Sequence, residues 1–241
     1  METKEYDRKE VVEDGTVKYY DAKGLLHRAD GPAYEGADGT KEWYLNGKRH
    51  REDGPAVEYA DGTKEWYRDG QRHREDGPAI EEANGTKSWY RNGKQHRDDG
   101  PAREWANGSV WWYRHGKLHR EDGPAMDGPN ETKHWYLNGS HHRIGGPAVE
   151  ATNGAREWFL NGERHREDGP AIEWPDGYRA WFHNGERHRE DGPALEDAEG
   201  RKEYWLSGQQ MTETKFRALH PEAFTTSPGE KKRKAKTPGI G

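Results

Sequence analysis

The heptapeptide His-Arg-Glu-Asp-Gly-Pro-Ala at residues 50–56 recurs, with small variations, through most of this 241-residue chain. Aromatic residues keep the same register, from Trp43-Tyr44 to Tyr204-Trp205. Self-similarity at a fixed period is the signature of a repeat protein. The pattern His-Arg-x-x-Gly-Pro-Ala begins every 23 residues, at His27, His50, His73, His96, His119, His142, His165 and His188. We number the repeats one to eight from these histidines.

Each repeat has the order of residue types expected of a β-hairpin. The proline of the motif opens a short alternating run, residues 56–59 in the second repeat, and proline suits the start of a strand because it has no N–H to donate. Asp61-Gly62 predicts a tight turn with positive φ at both residues. Residues 63–68 are then predicted as the return strand, and the loop 71–77 leads to the next repeat.

The composition is too polar for a thick core. Only 29% of the residues are apolar and 35% are charged, whereas 11% are aromatic, which is high for a disordered chain. Successive strand residues point to opposite faces, so Trp66 and Tyr67 are expected to build an aromatic ladder on each face. We therefore predict an all-β fold: an elongated, single-layer, twisted antiparallel sheet of about eight to nine tandem 23-residue β-hairpin repeats, with a short C-terminal capping helix.

The turn and strand sequences resemble MORN repeats, especially those of the MORN-2 type. The resemblance is carried by Asn-Gly-Lys-Arg-His at 46–50 and Tyr-Ala-Asp-Gly-Thr at 59–63, and it extends over about residues 13–208. One departure is that Arg-Glu-Asp-Gly-Pro-Ala follows the histidine where the family usually has Gly-x-Gly. This variant is similar to repeats of bacterial, phage and large-virus proteins. The resemblance implies a single-sheet ribbon that acts as a scaffold or as a binding surface for proteins or acidic phospholipids.

Four segments are predicted along the chain. Residues 1–12 are a lead-in, residues 13–208 hold the repeats with a degenerate first unit, residues 209–226 form a partly helical cap, and residues 227–241 form a disordered basic tail.

The cap is expected to be a short helix that covers the last strand of the sheet. Thr212 is predicted as its N-cap, the helix continues to about Phe224 with an interruption at Pro221, and Phe216 and Leu219 share one face. An open sheet needs such cover because an unpaired edge strand invites self-association.

The charge of the tail is opposite to that of the rest of the chain. Residues 229–241 carry a net charge of +4, which leaves -10 for the rest of a chain whose total is -6. The tail could engage nucleic acid, an acidic lipid or a nuclear import receptor, or it could serve only solubility. Its basic residues are Lys231, Lys232, Arg233, Lys234 and Lys236.

The recurring histidine is predicted to be structural. Successive repeats lie roughly 10 Å apart, whereas a zinc site needs four ligands at about 2 Å from one ion. Each histidine is expected to pack on a tryptophan or to bond the backbone of its loop. His141 and His142, with His134 nearby, are the exception to watch, but no metal site is predicted.

Catalysis and cofactor binding are not expected. Arg51 and Asp53 recur as identical copies without a cleft, so the arginine is expected to pair along the ribbon and the aspartate to accept backbone N–H groups of its turn. No Gly-rich phosphate loop and no Ser-His-Asp order is present.

Function is expected where the repeat departs from its own pattern. The residue after Pro-Ala is usually aliphatic, but the fourth repeat has Arg103, and the sixth repeat replaces the acidic pair of the motif by Ile144-Gly145. Tryptophan and arginine are typical of binding hot spots, and neutral drift is the alternative explanation. The candidate partner-binding residues are Arg103, Trp105, Trp111, Arg114, His115, Met126, Asn130, Glu131, His134, His141 and Ile144.

These features predict a non-catalytic protein that binds another protein through the ribbon surface. A viral, phage or bacterial inhibitor that sequesters a host or defence protein would fit this prediction. The alternatives are an adaptor for membranes or acidic phospholipids and a binder of a small ligand or nucleotide. The chain has no cysteine, no apolar run of membrane-spanning length and a charged N-terminus, which favours the cytoplasm, with the nucleus as the alternative through the basic tail. The partner, the source and the oligomeric state stay open.

Overall fold

The computed structural model describes residues 6–225, so the predicted basic tail lies outside the described residues. The chain divides into two compact units. The first is Met1–Glu131 with Tyr136–Gly139, and the second is Thr132–Trp135 with Ser140–Gly241.

Short strands make up nearly all of the regular structure in the described residues. Before the first repeat they are β1 (Arg8–Val11) and β2 (Val17–Tyr20). From the first to the fourth repeat they are β3 (Tyr34–Glu35), β4 (Lys41–Glu42), β5 (Tyr44–Leu45), β6 (Lys48–Arg49), β7 (Val57–Glu58), β8 (Lys64–Glu65), β9 (Tyr67–Arg68), β10 (Gln71–Arg72), β11 (Ile80–Glu81), β12 (Lys87–Ser88), β13 (Tyr90–Arg91), β14 (Lys94–Gln95), β15 (Arg103–Glu104), β16 (Val110–Trp111), β17 (Tyr113–Arg114) and β18 (Lys117–Leu118). From the fifth repeat onward they are β19 (Met126–Asp127), β20 (Lys133–His134), β21 (Tyr136–Leu137), β22 (Ser140–His141), β23 (Val149–Glu150), β24 (Arg156–Glu157), β25 (Phe159–Leu160), β26 (Glu163–Arg164), β27 (Ile172–Glu173), β28 (Arg179–Ala180), β29 (Phe182–His183), β30 (Glu186–Arg187), β31 (Leu195–Glu196), β32 (Lys202–Leu206) and β33 (Gln209–Met211). Strand β1 thus lies inside the segment predicted as a lead-in.

The sheet strands of each unit pair antiparallel in chain order. In the second repeat, Val57 of β7 lies opposite Glu65 of β8, and Glu65 lies in turn opposite Ile80 of β11. The same succession links β24, β27, β28, β31 and β32 in the second unit. The predicted all-β fold of tandem antiparallel hairpins is therefore confirmed.

Each complete repeat contains two hairpins, whereas the sequence predicted one hairpin and a loop. The predicted return strand breaks at Trp66, because the Trp66 N–H donates to the Ala79 carbonyl of the next repeat at 2.8 Å. The chain after the break forms a separate two-stranded ladder of β9 with β10. The predicted loop 71–77 therefore begins as a strand.

The two hairpins use different turns. Asp69 and Gly70, in the second hairpin, both have positive φ, 52° and 82°. In the first turn only Gly62 has positive φ, 92°, and the Thr63 N–H donates to the Asp61 carboxylate at 2.8 Å. The prediction of positive φ at both Asp61 and Gly62 is therefore wrong, since the Asp side chain stabilises a wider turn.

The core is thin and is repeated along the chain. In the second repeat Ala56 and Val57 are fully buried and pack with Tyr67 and Trp43. The alanine that follows the proline of the motif is 0% exposed in all eight repeats. This position admits no larger side chain, which explains why the Pro-Ala pair recurs unchanged.

Two short helices follow the last repeat, α1 (Glu213–Leu219) and α2 (Glu222–Thr225). Thr212 is the N-cap of α1, as predicted, and accepts the Lys215 N–H at 3.3 Å. Phe216 is fully buried and packs against Tyr204 of β32, with 4.9 Å between the ring centroids. Leu219, which was predicted on the same face of the helix as Phe216, is 55% exposed. The helix is covered mainly by one strand, which leaves room for a single buried side chain.

Candidate functional site

The recurring histidine fastens the second turn of its repeat. Its Nδ1 accepts the backbone N–H of the turn residue 19 positions later, at 3.0–3.3 Å in all eight repeats. Only the neutral ring can accept there. Bonding of the loop backbone by histidine, as the sequence predicted, is thus confirmed.

The recurring arginine joins one repeat to the next. The Arg74 guanidinium lies 4.1 Å from the centroid of Trp66 in the preceding repeat, and Arg74 Nε donates to Asp76 at 3.2 Å. Arg74 Nη1 donates to the Pro78 carbonyl at 3.2 Å and to Glu81 at 2.9 Å. The motif aspartate was expected to accept backbone N–H groups, and its main donor is the arginine, with a smaller backbone contribution at Asp53, Asp99 and Asp122. This contact holds the pKa of the Asp53, Asp99 and Asp122 carboxyls below the ordinary value.

A second charged pair, which was not predicted from the sequence, lies beneath the second hairpin. Glu65 is 7% exposed, accepts the Tyr67 hydroxyl at 2.7 Å and binds Arg72 Nη2 at 3.2 Å. The Arg72 guanidinium also lies 5.9 and 5.7 Å from the ring centroids of Tyr67 and Tyr90. Equivalent pairs join Glu42 to Arg49 and Glu157 to Arg164. The available signal was a Glu and an Arg seven residues apart in repeats one, two and six.

The third, fourth and fifth repeats exchange both members of this pair. Removal of one member alone would leave a partly buried charge without its partner, which is strongly destabilising. Replacement of both members avoids an unpaired buried charge. The substitutions at these two positions therefore occur together in these three repeats. The exchanged pairs are Ser88 with Gln95, Trp111 with Leu118, and His134 with His141. In the seventh repeat only the glutamate is lost, as Ala180, and Arg187 binds Glu203 of the next repeat at 3.2 Å.

The histidine pair of the fifth repeat lies in the second unit. His134 Nδ1 is 3.1 Å from His141 Nε2, and His141 stacks on Phe159 with 5.0 Å between ring centroids. Burial lowers the pKa of both imidazoles, while Glu157 raises it by a smaller amount. Among residues 6–225, no group of three or more His, Cys, Asp or Glu side chains is placed to hold a metal ion.

Four of the predicted partner-binding residues come together on one face of the fourth and fifth repeats. Trp111 lies opposite Arg103 on one neighbouring strand and opposite Met126 on the other. The Arg103 guanidinium is 4.5 Å from the Trp105 centroid, and the Trp105 and Trp111 rings meet edge to face at 4.5 Å. All four side chains are partly exposed. We call Arg103, Trp105, Trp111 and Met126 the tryptophan cluster.

The tryptophan cluster also contains two N–H groups without an acceptor. Arg103 Nε and Trp111 Nε1 are shielded from solvent and make no hydrogen bond within the described chain. An unsatisfied buried donor costs about 1–3 kcal/mol. The polar groups of the tryptophan cluster therefore have fewer hydrogen-bond partners than those of the Glu–Arg pairs in the regular repeats.

Neither a family model nor a curated protein matches the chain. No helix within residues 6–225 has the length and apolar composition of a membrane span.

The remaining predicted residues of the first unit have other local roles. Arg114 lies 4.0 Å from Glu121, and His115 stacks on His96 at 4.4 Å. Asn130 has a φ of 58°, and Glu131 accepts the Ser109 hydroxyl at 2.7 Å. Ile144, in the second unit, is 84% exposed on its loop.

Trp174 is an exposed residue that the sequence analysis did not single out. It has the same repeat position as Trp105, is 44% exposed and packs on Tyr178 at 4.6 Å. Comparison of this position across all repeats would have found it. Trp174 provides a matched control for Trp105, because its neighbours are Ile172 and Ala180 in place of Arg103 and Trp111.

Proposed function

We propose that this chain is a non-catalytic protein that captures another protein through the tryptophan cluster. The observation that carries the proposal is the exchange of the Glu–Arg pair for Trp111 and Leu118, which places Trp111 against Trp105, Arg103 and Met126 on a partly exposed face. Tryptophan, arginine and methionine are all enriched in protein interfaces.

The energetics of the tryptophan cluster favour a partner. A partner carbonyl oxygen could satisfy Arg103 Nε or Trp111 Nε1 after a small side-chain rotation, so binding would recover a hydrogen bond that the isolated chain lacks. Large rigid rings also lose little conformational entropy when they are covered.

The resemblance to MORN repeats supports the same kind of function, since a ribbon of equal units presents side chains on a regular frame. On the resemblance to phage, large-virus and bacterial repeats, we propose that the protein sequesters a host or defence protein in the cytoplasm.

Affinity capture from a cell lysate followed by mass spectrometry would identify the partner. The double variant Arg103→Ala with Trp105→Ala should reduce capture more than about tenfold, as expected for hot-spot residues. Trp174→Ala should leave capture unchanged, since Trp174 has the same repeat position without the neighbouring cluster. Equal capture by the folded double variant and the native chain would refute the proposal.

A further inference from the structure

A groove of about 510 Å³ lies in the second unit, between the loops of the sixth and seventh repeats. It is lined by Ile144, Phe159 and Leu160, by Glu167 and Asp168, and by Arg143 and Arg166. Ile144 is the most exposed of the large hydrophobic residues among those described, at 84%. The groove therefore combines an apolar surface with carboxylates.

The equivalent groove of the first unit, about 370 Å³, differs in the residues that matter. Glu75 occupies the position of Ile144, and Arg91 occupies that of Leu160. Arg91 binds Asp98, the counterpart of Glu167, at 3.2 Å. The groove of the first unit thus satisfies its own charges.

Glu167 lacks such a partner in the groove of the second unit. Its carboxylate is 84% exposed, and the nearest ring nitrogen is His165 Nε2, at 4.0 Å. Arg166 is already shared by Asp168 at 2.8 Å and Glu173 at 2.9 Å. Arg143, which also lines the groove, binds Glu150 at 2.6 Å. The groove therefore holds one carboxylate without an arginine partner, Glu167, together with the exposed Ile144, and this combination suits a segment that carries both cations and aliphatic groups.

We propose that the basic C-terminal segment of this same chain, residues 226–241, binds in the groove of the second unit. Residues 229–241 carry a net charge of +4. The aliphatic stems of lysines can cover Ile144 and Leu160 while their ammonium groups face Glu167, and Ile240 adds an apolar side chain.

The length of the segment allows this contact. The helix α1 that precedes it packs on β32, and β24, which leads into the groove, lies four strand positions from β32 in the sheet of the second unit. At about 4.8 Å per strand the distance is roughly 19 Å. The 16 residues 226–241 can span roughly 50 Å when extended.

Paramagnetic broadening in the full chain tests the proposal. The chain has no cysteine, so Thr237→Cys accepts a single nitroxide label. We expect the NMR signals of Ile144, Gly145 and Gly146 to be lost and to return when the nitroxide is reduced. The signal of Gly77, the counterpart of Gly146 in the first unit, should persist.

Two single variants should restore the lost signals. Ile144→Ser removes the exposed apolar side chain and Glu167→Gln removes the carboxylate that has no arginine partner. Both side chains are mostly exposed, so neither change should unfold the chain. Asp98→Asn in the groove of the first unit is the matched control and should change nothing. About 0.5 M salt should weaken the contact by screening.

Three results would overturn the proposal. The first is the absence of broadening at Ile144. The second is equal broadening at Gly77, which would indicate non-specific attraction to any acidic loop. The third is broadening in a mixture of spin-labelled and separately isotope-labelled chains, which would make a second copy the occupant.

Discussion

The second and fourth repeats have the same backbone arrangement, but one carries a charged pair where the other carries two apolar side chains. In the second repeat Glu65 and Arg72 form a charged pair beneath Tyr67. In the fourth repeat Trp111 and Leu118 occupy the same two positions. Strand bounds, ladder registers and the histidine-to-turn bond are nevertheless equivalent in the two repeats.

The comparison shows that one set of side chains holds the backbone of each repeat, while another set can vary between repeats. The motif histidine and arginine hold the backbone and recur without exception, because they bond main-chain groups that every repeat has. The pair beneath the second hairpin bonds only side chains. It can be exchanged where both members change together, or where the next repeat supplies a new partner, as Glu203 does for Arg187. The chain can therefore acquire a new surface without a new fold.

Loss of a motif arginine should have the largest effect on stability. Arg74→Ala removes a stacking contact on Trp66 and hydrogen bonds to Asp76, Glu81 and the Pro78 carbonyl, so we expect the free energy of unfolding to fall by about 3 kcal/mol. Arg103→Ala, in the deviating region, should lower it by less than about 1 kcal/mol. Urea unfolding measures both variants. An equal loss of unfolding free energy in the two variants would contradict the distinction between the motif residues that hold the backbone and the positions that can be exchanged.

Transplanting the pair of the third repeat into the second should have a smaller effect. Glu65→Ser alone leaves Arg72 without its carboxylate, and we expect a loss of about 2 kcal/mol in the free energy of unfolding. Addition of Arg72→Gln reproduces Ser88 with Gln95 and should recover about half of this loss. A double-mutant cycle in urea measures the coupling. Simple additivity of the two changes would show that the positions are independent.

The histidine pair of the fifth repeat should make stability depend on pH. The pKa of both His134 and His141 is lowered by burial, so the unfolded chain binds protons more readily than the folded chain. The stabilisation is therefore complete above the unfolded pKa of about 6.5 and is lost as the pH falls below it, by about 1.4 kcal/mol per unit of lowered pKa. His134→Glu with His141→Arg restores the charged pair of the sixth repeat and should remove this part of the dependence.

Thermal unfolding between pH 7.5 and 5 measures the difference between the native chain and the histidine variant. The motif histidines are the same in both, including His96, whose pKa is also lowered by burial, and they provide a common background. Parallel pH profiles would contradict a special role for the pair.

Much of the architecture could be predicted from the sequence, because a strict period shows the same pattern of turns and strands several times. The 23-residue spacing, the Gly-containing turns and the aromatic register predict tandem hairpins, and Thr212 predicts the start of the terminal helix. The break at Trp66 could not be predicted, since it depends on a hydrogen bond to Ala79 of the next repeat.

The candidate site could be predicted only in part, because the pairing of its residues also depends on contacts between different strands. Departures from the repeat pattern identified Arg103, Trp105 and Trp111, but a linear reading treated each departure singly. The contact of the second hairpin with the sheet shows which departures form pairs, such as His134 with His141.

The period, the class of fold and the structural role of the recurring histidine could be predicted from residue order, because they depend on local spacing and on the chemistry of one motif. Which side chains meet depends on the tertiary fold. Glu65 with Arg72, the tryptophan cluster and the groove beside Ile144 all arise where the second hairpin or a neighbouring loop folds onto residues of another strand. Such contacts depend on the three-dimensional path of the chain, which residue order along one strand does not contain.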